Sequence, residues 1–190
     1  MSSAAATAAV VHPELSPEEI AVAARYLTET REALIGCVHG LSPSQWVYKQ
    51  AGDRWSVLEI VEHLALIEPR VHFTLGRISE APPPPSDWHA SEVEALILAE
   101  VPKRQQRIDA PEPIRPTGRW SEAEALQEFL QNRRRTIRLL NSTSLRGHVI
   151  PHPILGPWDG YHWLLATAAH TARHVGQIDE VKADSRFTLA

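Results

Sequence analysis

Apolar residues recur at intervals of three and four along most of the chain, and no stretch shows the two-residue alternation of a half-buried strand. Ile20, Ala24, Leu27, Leu34 and Val38 form a first helical stripe. Ser16 is placed to cap it, Pro17 suits the first helical position, and Glu18 and Glu19 favour the positive end of the helix dipole; Gly40 ends it. Residues 41–54 read as a loop. Ser56 and Glu59 form a capping box for a second helix to about residue 79, with Val57, Ile60, Val61, Leu64, Ile67 and Val71 inward. Pro69 should kink that helix or strip its carbonyls of partners. A proline run at 82–85 stops it, and a weaker helical pattern carrying Val93, Leu96 and Ile97 extends from 91 to about 108, broken by Pro102. With the proline-rich loop at 110–118, residues 80–119 make one long connection. Ser121 opens the third long helix, with Leu126, Phe129, Leu130, Ile137 and Leu140 on its stripe and Arg133 as the polar exception. Residues 151–157 read as a rigid loop, and Asp159 caps a last helix to about Lys182, with Leu164, Ala168, Thr171, Val175 and Ile178 inward. Four long amphipathic helices and one long crossover connection describe an all-α four-helix bundle.

The length, 190 residues, suits a single domain, here residues 16–190 preceded by a flexible tail at 1–15. A net charge of −4 offers no electrostatic case for nucleic acid or an anionic membrane. Arg133, Arg134 and Arg135 splay around a helix, so the run reads as a solvated face. Cys37 is the only cysteine, which rules out an intrachain disulfide and fits a reducing compartment; at the end of its stripe it reads as a small buried hydrophobe. Without a secretory signal pattern or an apolar run long enough to span a bilayer, the expected location is the cytoplasm.

Histidine is the residue that changes this picture. The chain has 10, and most need no special role: His39 sits at a helix end, and His72 and His89 read as exposed. His170 and His174, however, are spaced i, i+4 on the last helix, which stacks both imidazoles on one face. His63 sits at the edge of the second helix's apolar face. Neutral imidazole is the commonest metal-binding side chain, and three of them leave coordination positions open, as a reactive site requires. Glu59, Glu62, Gln177 and Asp179 stand near enough in sequence to form an outer shell. Spacing alone leaves open that all three histidines are ordinary bundle-edge residues.

Trp55-Ser56-Val57-x-Glu59-Ile60-x-x-His63-Leu64 resembles the second-helix signature of the DinB-like (DinB/YfiT) family of metalloenzymes. His152-Pro153-x-x-Gly156 followed by His170-x-x-x-His174-x-x-Gln177-Ile178 is similar to its last-helix signature, and the likeness runs from about residue 18 to 182. The resemblance implies a bundle binding a divalent metal through His63, His170 and His174, with zinc foremost and nickel or iron possible. It further implies a small-molecule substrate, a homodimer, and, by analogy with thiol-dependent members, a low-molecular-weight thiol such as bacillithiol or mycothiol as co-substrate. The function expected on this footing is a metal-dependent thiol S-transferase. The alternatives are a metal-dependent hydrolase with Glu59 or Glu62 as general base, and a non-catalytic metal or small-ligand binder. Since the ligands must be neutral, metal binding is expected to weaken below about pH 6.5, the free imidazole pKa.

Overall fold

A serine followed three residues later by Glu or Gln starts four of the six α-helices among the described residues. Ser16 with Glu19 opens α1 (Pro17–Val38), Ser42 with Gln45 opens α2 (Pro43–Val47), Ser56 with Glu59 opens α3 (Val57–Gly76), and Ser121 with Glu124 opens α5 (Glu122–Leu139). In each the hydroxyl accepts from the third helical N–H while the Glu or Gln side chain accepts from the cap's own N–H. The other two helices are α4 (Ala90–Glu100) and α6 (Gly160–Lys182), the latter capped by Asp159. The computed structural model describes residues 14–105, 109–141 and 144–189. The expected tail falls almost wholly outside them, although Leu15 already packs on the core.

The long helices α1, α3, α5 and α6 make the four-helix bundle, with α1 against α6 and α3 against both α5 and α6. Its centre is lined by Leu27 and Leu34 of α1, Ile60 and Leu64 of α3, Phe129 of α5 and Leu164 and Ala168 of α6, all nearly or fully buried. Within the connection between α3 and α5, α4 lies against α6 and buries Ile97, while a short 3₁₀ turn at Glu112–Ile114 lies against α3. No helix among the described residues is long and apolar enough to cross a membrane.

Several expectations need correction. The loop expected at 41–54 contains α2, whose Ser42-Pro43-Ser44-Gln45 start carries a capping box and a first-turn proline. The weak helix expected to reach about residue 108 ends at Glu100, because Pro102 has no N–H to extend it. The rigid loop at 151–157 is an antiparallel hairpin of β1 (Ile150–His152) and β2 (Gly156–Trp158), turned at Gly156 with φ of 83°. Pro69 lies inside a continuous α3 and deprives the Ala65 carbonyl of its donor; Asn132 Nδ2 of α5 supplies the replacement at 3.2 Å. Arg133 is fully buried rather than solvated, whereas Arg134 and Arg135 are exposed as expected. His72 is buried, bonded through Nε2 to the Thr136 hydroxyl at 2.8 Å. Cys37 is half-buried; its thiol donates to Asp179 Oδ1 at 3.3 Å, and burial followed by that carboxylate pushes its pKa up to about 11, far from a reactive thiolate.

Candidate metal centre

α3 and α6 run side by side, and the three predicted histidines meet between them. One nitrogen from each of His63, His170 and His174 lies within 4.8 Å of the other two. The i, i+4 pair on α6 brings His170 Nε2 to 3.2 Å from His174 Nε2, close to the spacing of about 3.3 Å for two nitrogens sharing a tetrahedral zinc ion. The His63 ring centroid is 5.3 Å from that of His170 and 4.8 Å from that of His174. The indole of Trp55, just before the cap of α3, covers the cluster at 4.8 Å from His63 and 6.2 Å from His174.

The outer nitrogens decide which way the lone pairs point. His63 Nδ1 lies 2.7 Å from the Ile114 carbonyl, which can only accept, so Nδ1 carries the proton and Nε2 is left bare toward the cluster. His174 Nδ1 lies 2.8 Å from Gln177 Oε1 and is held in the same way. His170 Nδ1 is buried with no hydrogen-bond partner among the described residues. Three imidazoles converging on one point with too few protons to satisfy one another are a poor self-contained network and a good donor set for a divalent cation.

Burial keeps these rings neutral. It pushes the His63 pKa down to about 4, against a small opposing effect from the Ile114 carbonyl. His170 and His174 are driven well below the ordinary imidazole value, first by burial and then by the neighbouring histidines. The onset of protonation expected near pH 6.5 therefore moves down in the folded protein.

The carboxylates take other parts than expected. Glu62 is fully buried, accepts from the N–H groups of Thr117 and Gly118, each at 2.9 Å, and is ion-paired with Arg119 at 3.4 Å. Gly118, with φ of 72°, lets two successive N–H groups converge on that carboxylate. Glu62 thus anchors the proline-rich loop that delivers the Ile114 carbonyl to His63. Glu59 closes its capping box and pairs with Lys49 at 2.7 Å, and Asp179 takes the Cys37 thiol. Of the four outer-shell candidates only Gln177 touches a histidine of the cluster. The Ile114 carbonyl escapes sequence reasoning because a backbone acceptor has no side-chain signature, and Trp55 was legible only as part of a motif.

The model of the DinB superfamily matches residues 26–178. The chain belongs to the DinB superfamily. The uncharacterized protein YuaE of Bacillus subtilis strain 168 is 24% identical over 148 residues, covering 75% of this chain and 86% of YuaE. In fold, the chain is similar to YfiT from Bacillus subtilis, a probable metal-dependent hydrolase with an unusual four-helix bundle topology. The match has a TM-score of 0.56 over 89% of each chain at 17% identity, a likeness of fold alone.

Proposed function

We propose that His63, His170 and His174 bind one divalent metal ion and that this DinB-superfamily protein is a metal-dependent enzyme acting on a small molecule. Its most concrete form is a transferase that joins a low-molecular-weight thiol to an electrophile. The observation supporting this is the convergence of three neutral imidazoles, two of them with Nδ1 tied to an outer acceptor. A divalent ion held there would supply Lewis acidity, lowering the pKa of a coordinating thiol or water so that its proton is lost to solvent near neutral pH. Zinc suits this donor set, and nickel or iron(II) accept the same ligands. The chain's own residues keep the imidazoles neutral by burial, orient them from outside, and cover one side with Trp55. Thiol chemistry of this kind asks for no carboxylate base. Glu59 and Glu62 are both committed elsewhere and neither is bonded to the cluster, which counts against the form of hydrolysis that uses either as general base. Hydrolysis is the second reading, supported by the likeness of fold to YfiT.

The test is elemental analysis of protein purified without a nickel column, then assays with a panel of thiols and chlorodinitrobenzene beside thiol-free ester and amide hydrolysis. One metal per chain and thiol-dependent product are expected. Thiol-independent hydrolysis would select the second reading. Alanine at any one of the three histidines should weaken metal binding by more than about 100-fold, beyond the 10–100-fold typical of an outer-shell loss, with the helical circular dichroism retained. Equal metal uptake by the wild type and the triple alanine variant would overturn both readings.

A further inference from the structure

Arg104 stands in the loop after α4, outside the histidine cluster, yet it reaches across to the same face of α6. Its Nε and Nη2 donate to the two oxygens of Glu180 at 2.7 and 2.8 Å, and its Nη1 donates to Gln177 Oε1 at 3.3 Å. Gln177 Oε1 is also the acceptor for His174 Nδ1 at 2.8 Å. The stem of Arg104 lies over Gly176, where an added Cβ would come within 3.5 Å of its Cδ. One amide oxygen therefore receives two donors, one from the guanidinium and one from the imidazole.

We propose that Arg104 is a positioning residue that selects the tautomer of His174 through Gln177. This rests on the proposed metal-binding role of His174 for its consequence, though not for its geometry. A glutamine amide can turn over, exchanging its acceptor for a donor. With its amino group toward His174, Gln177 would make Nδ1 the acceptor and shift the imidazole proton to Nε2, the nitrogen that faces His63 and His170. The lone pair a metal needs would then be blocked. A guanidinium has five donors and no acceptor, so it tolerates only the oxygen of Gln177. The bidentate pair with Glu180 holds the guanidinium in place while the third nitrogen sets the amide. Arg104 thus does at a distance what the Ile114 carbonyl does for His63 directly.

The test reads the tautomer in metal-free protein, by long-range proton–nitrogen correlation of the histidine rings at neutral pH. In the wild type, His174 should be protonated on Nδ1 alone. Arg104→Met should give a mixture of both tautomers and weaken zinc binding about 10-fold, at the lower end of outer-shell effects. A carboxylate has no donor face, so in the double variant Arg104→Met with Gln177→Glu the pure Nδ1–H form should return without the arginine. A merely structural Arg104 would not be rescued by that second change. Retention of the pure Nδ1–H form in Arg104→Met, or a double variant as mixed as the single one, would overturn the proposal. A wild type that takes up no zinc while showing the expected tautomers would instead defeat the metal-binding reading and leave the positioning role standing.

Discussion

Two polar clusters are buried on the same helices, and they are built on opposite plans. In the first, Arg133 of α5 donates from Nε to Glu68 of α3 at 2.6 Å, from Nη1 to the Leu27 carbonyl and Thr30 of α1 at 2.9 and 3.0 Å, and from Nη2 to Thr171 of α6 at 2.7 Å. The second Glu68 oxygen accepts from Thr136, whose hydroxyl in turn receives His72 Nε2–H. Opposite charges are matched and the four bundle helices are tied together. In the second cluster no opposite charge is present: His63 and His174 turn bare nitrogens inward and His170 Nε2 stands 3.2 Å from His174 Nε2, while one outer nitrogen in each cluster, His72 Nδ1 and His170 Nδ1, has no partner among the described residues. Thr171, bonded to Arg133, lies between His170 and His174 in sequence, so the closed cluster adjoins the open one. A bundle holds a charged group inside for its own stability when that charge is matched within the chain, as Arg133 is by Glu68. A cluster whose needs are unmet is suited to something added from outside.

The sharpest way to break this contrast is to remove a partner from the closed cluster. Arg133→Met leaves Glu68 buried without its cation and should cost about 3–5 kcal/mol, read as a fall in the urea midpoint. Adding Glu68→Leu should recover much of the loss, because an apolar pair leaves no stranded charge. His170→Ala should cost less stability than Arg133→Met while removing metal uptake. The opposite ranking would erase the distinction between the clusters.

Acid acts on both clusters, because burial pushes the pKa of His72 in the closed one down to about 4 as well, and a variant isolates the share of the open one. The folded pKa of His63 is about 4 and the unfolded value about 6.5, so between those pH values the unfolded chain takes up a proton that the folded chain refuses. Stability of the metal-free protein is therefore full above about pH 6.5 and falls as the pH drops toward 4, by on the order of 3 kcal/mol from His63 alone. His170 and His174 act in the same direction. Urea midpoints at pH 7 and 4.5 should show a smaller acid loss in His63→Gln than in the wild type. An equal loss would mean that His63 is no more buried than a surface imidazole.

The four long helices and the three histidines were legible because periodicity, capping boxes and i, i+4 spacing are local signals, and all are written in side chains. What holds the site in shape was less legible. The Ile114 carbonyl and the arm of Arg104 reach the cluster from the connection between α3 and α5, where no period sets the register. The roles expected of Glu59 and Glu62 failed for a related reason. Proximity in sequence to His63 placed them on the right helix, but the proline-rich loop and Lys49 claimed their oxygens. The buried Arg133 was visible as a polar break in an apolar stripe, and only its partner on α3 distinguishes that from a solvated run.

Pro69 offers a smaller test of the same principle. It strips a donor from the buried Ala65 carbonyl, and Asn132 restores it from the next helix. Asn132→Ala should cost about 1–2 kcal/mol by leaving that carbonyl unmatched. Pro69→Ala should make the Asn132 change milder, since the helix then supplies its own bond, and a double-mutant cycle on thermal midpoints measures the coupling. Independent, additive effects would mean that the amide does not serve the carbonyl.

The smallest effect belongs to the rest of the arginine run, and it sharpens the contrast because the residue type is held constant. Arg134 and Arg135 are exposed on α5 while Arg133, one residue earlier, is fully buried. A solvated arginine on a helix surface gives up little when shortened, so Arg134→Ala and Arg135→Ala should each change stability by less than about 0.5 kcal/mol. Set beside the loss expected for Arg133→Met, the three adjacent substitutions separate charge from burial. If the two exposed positions cost as much as the buried one, then the composition of the run, rather than the closed cluster around Glu68, would be what stabilises α5. Urea midpoints of the three single variants in one buffer decide between these.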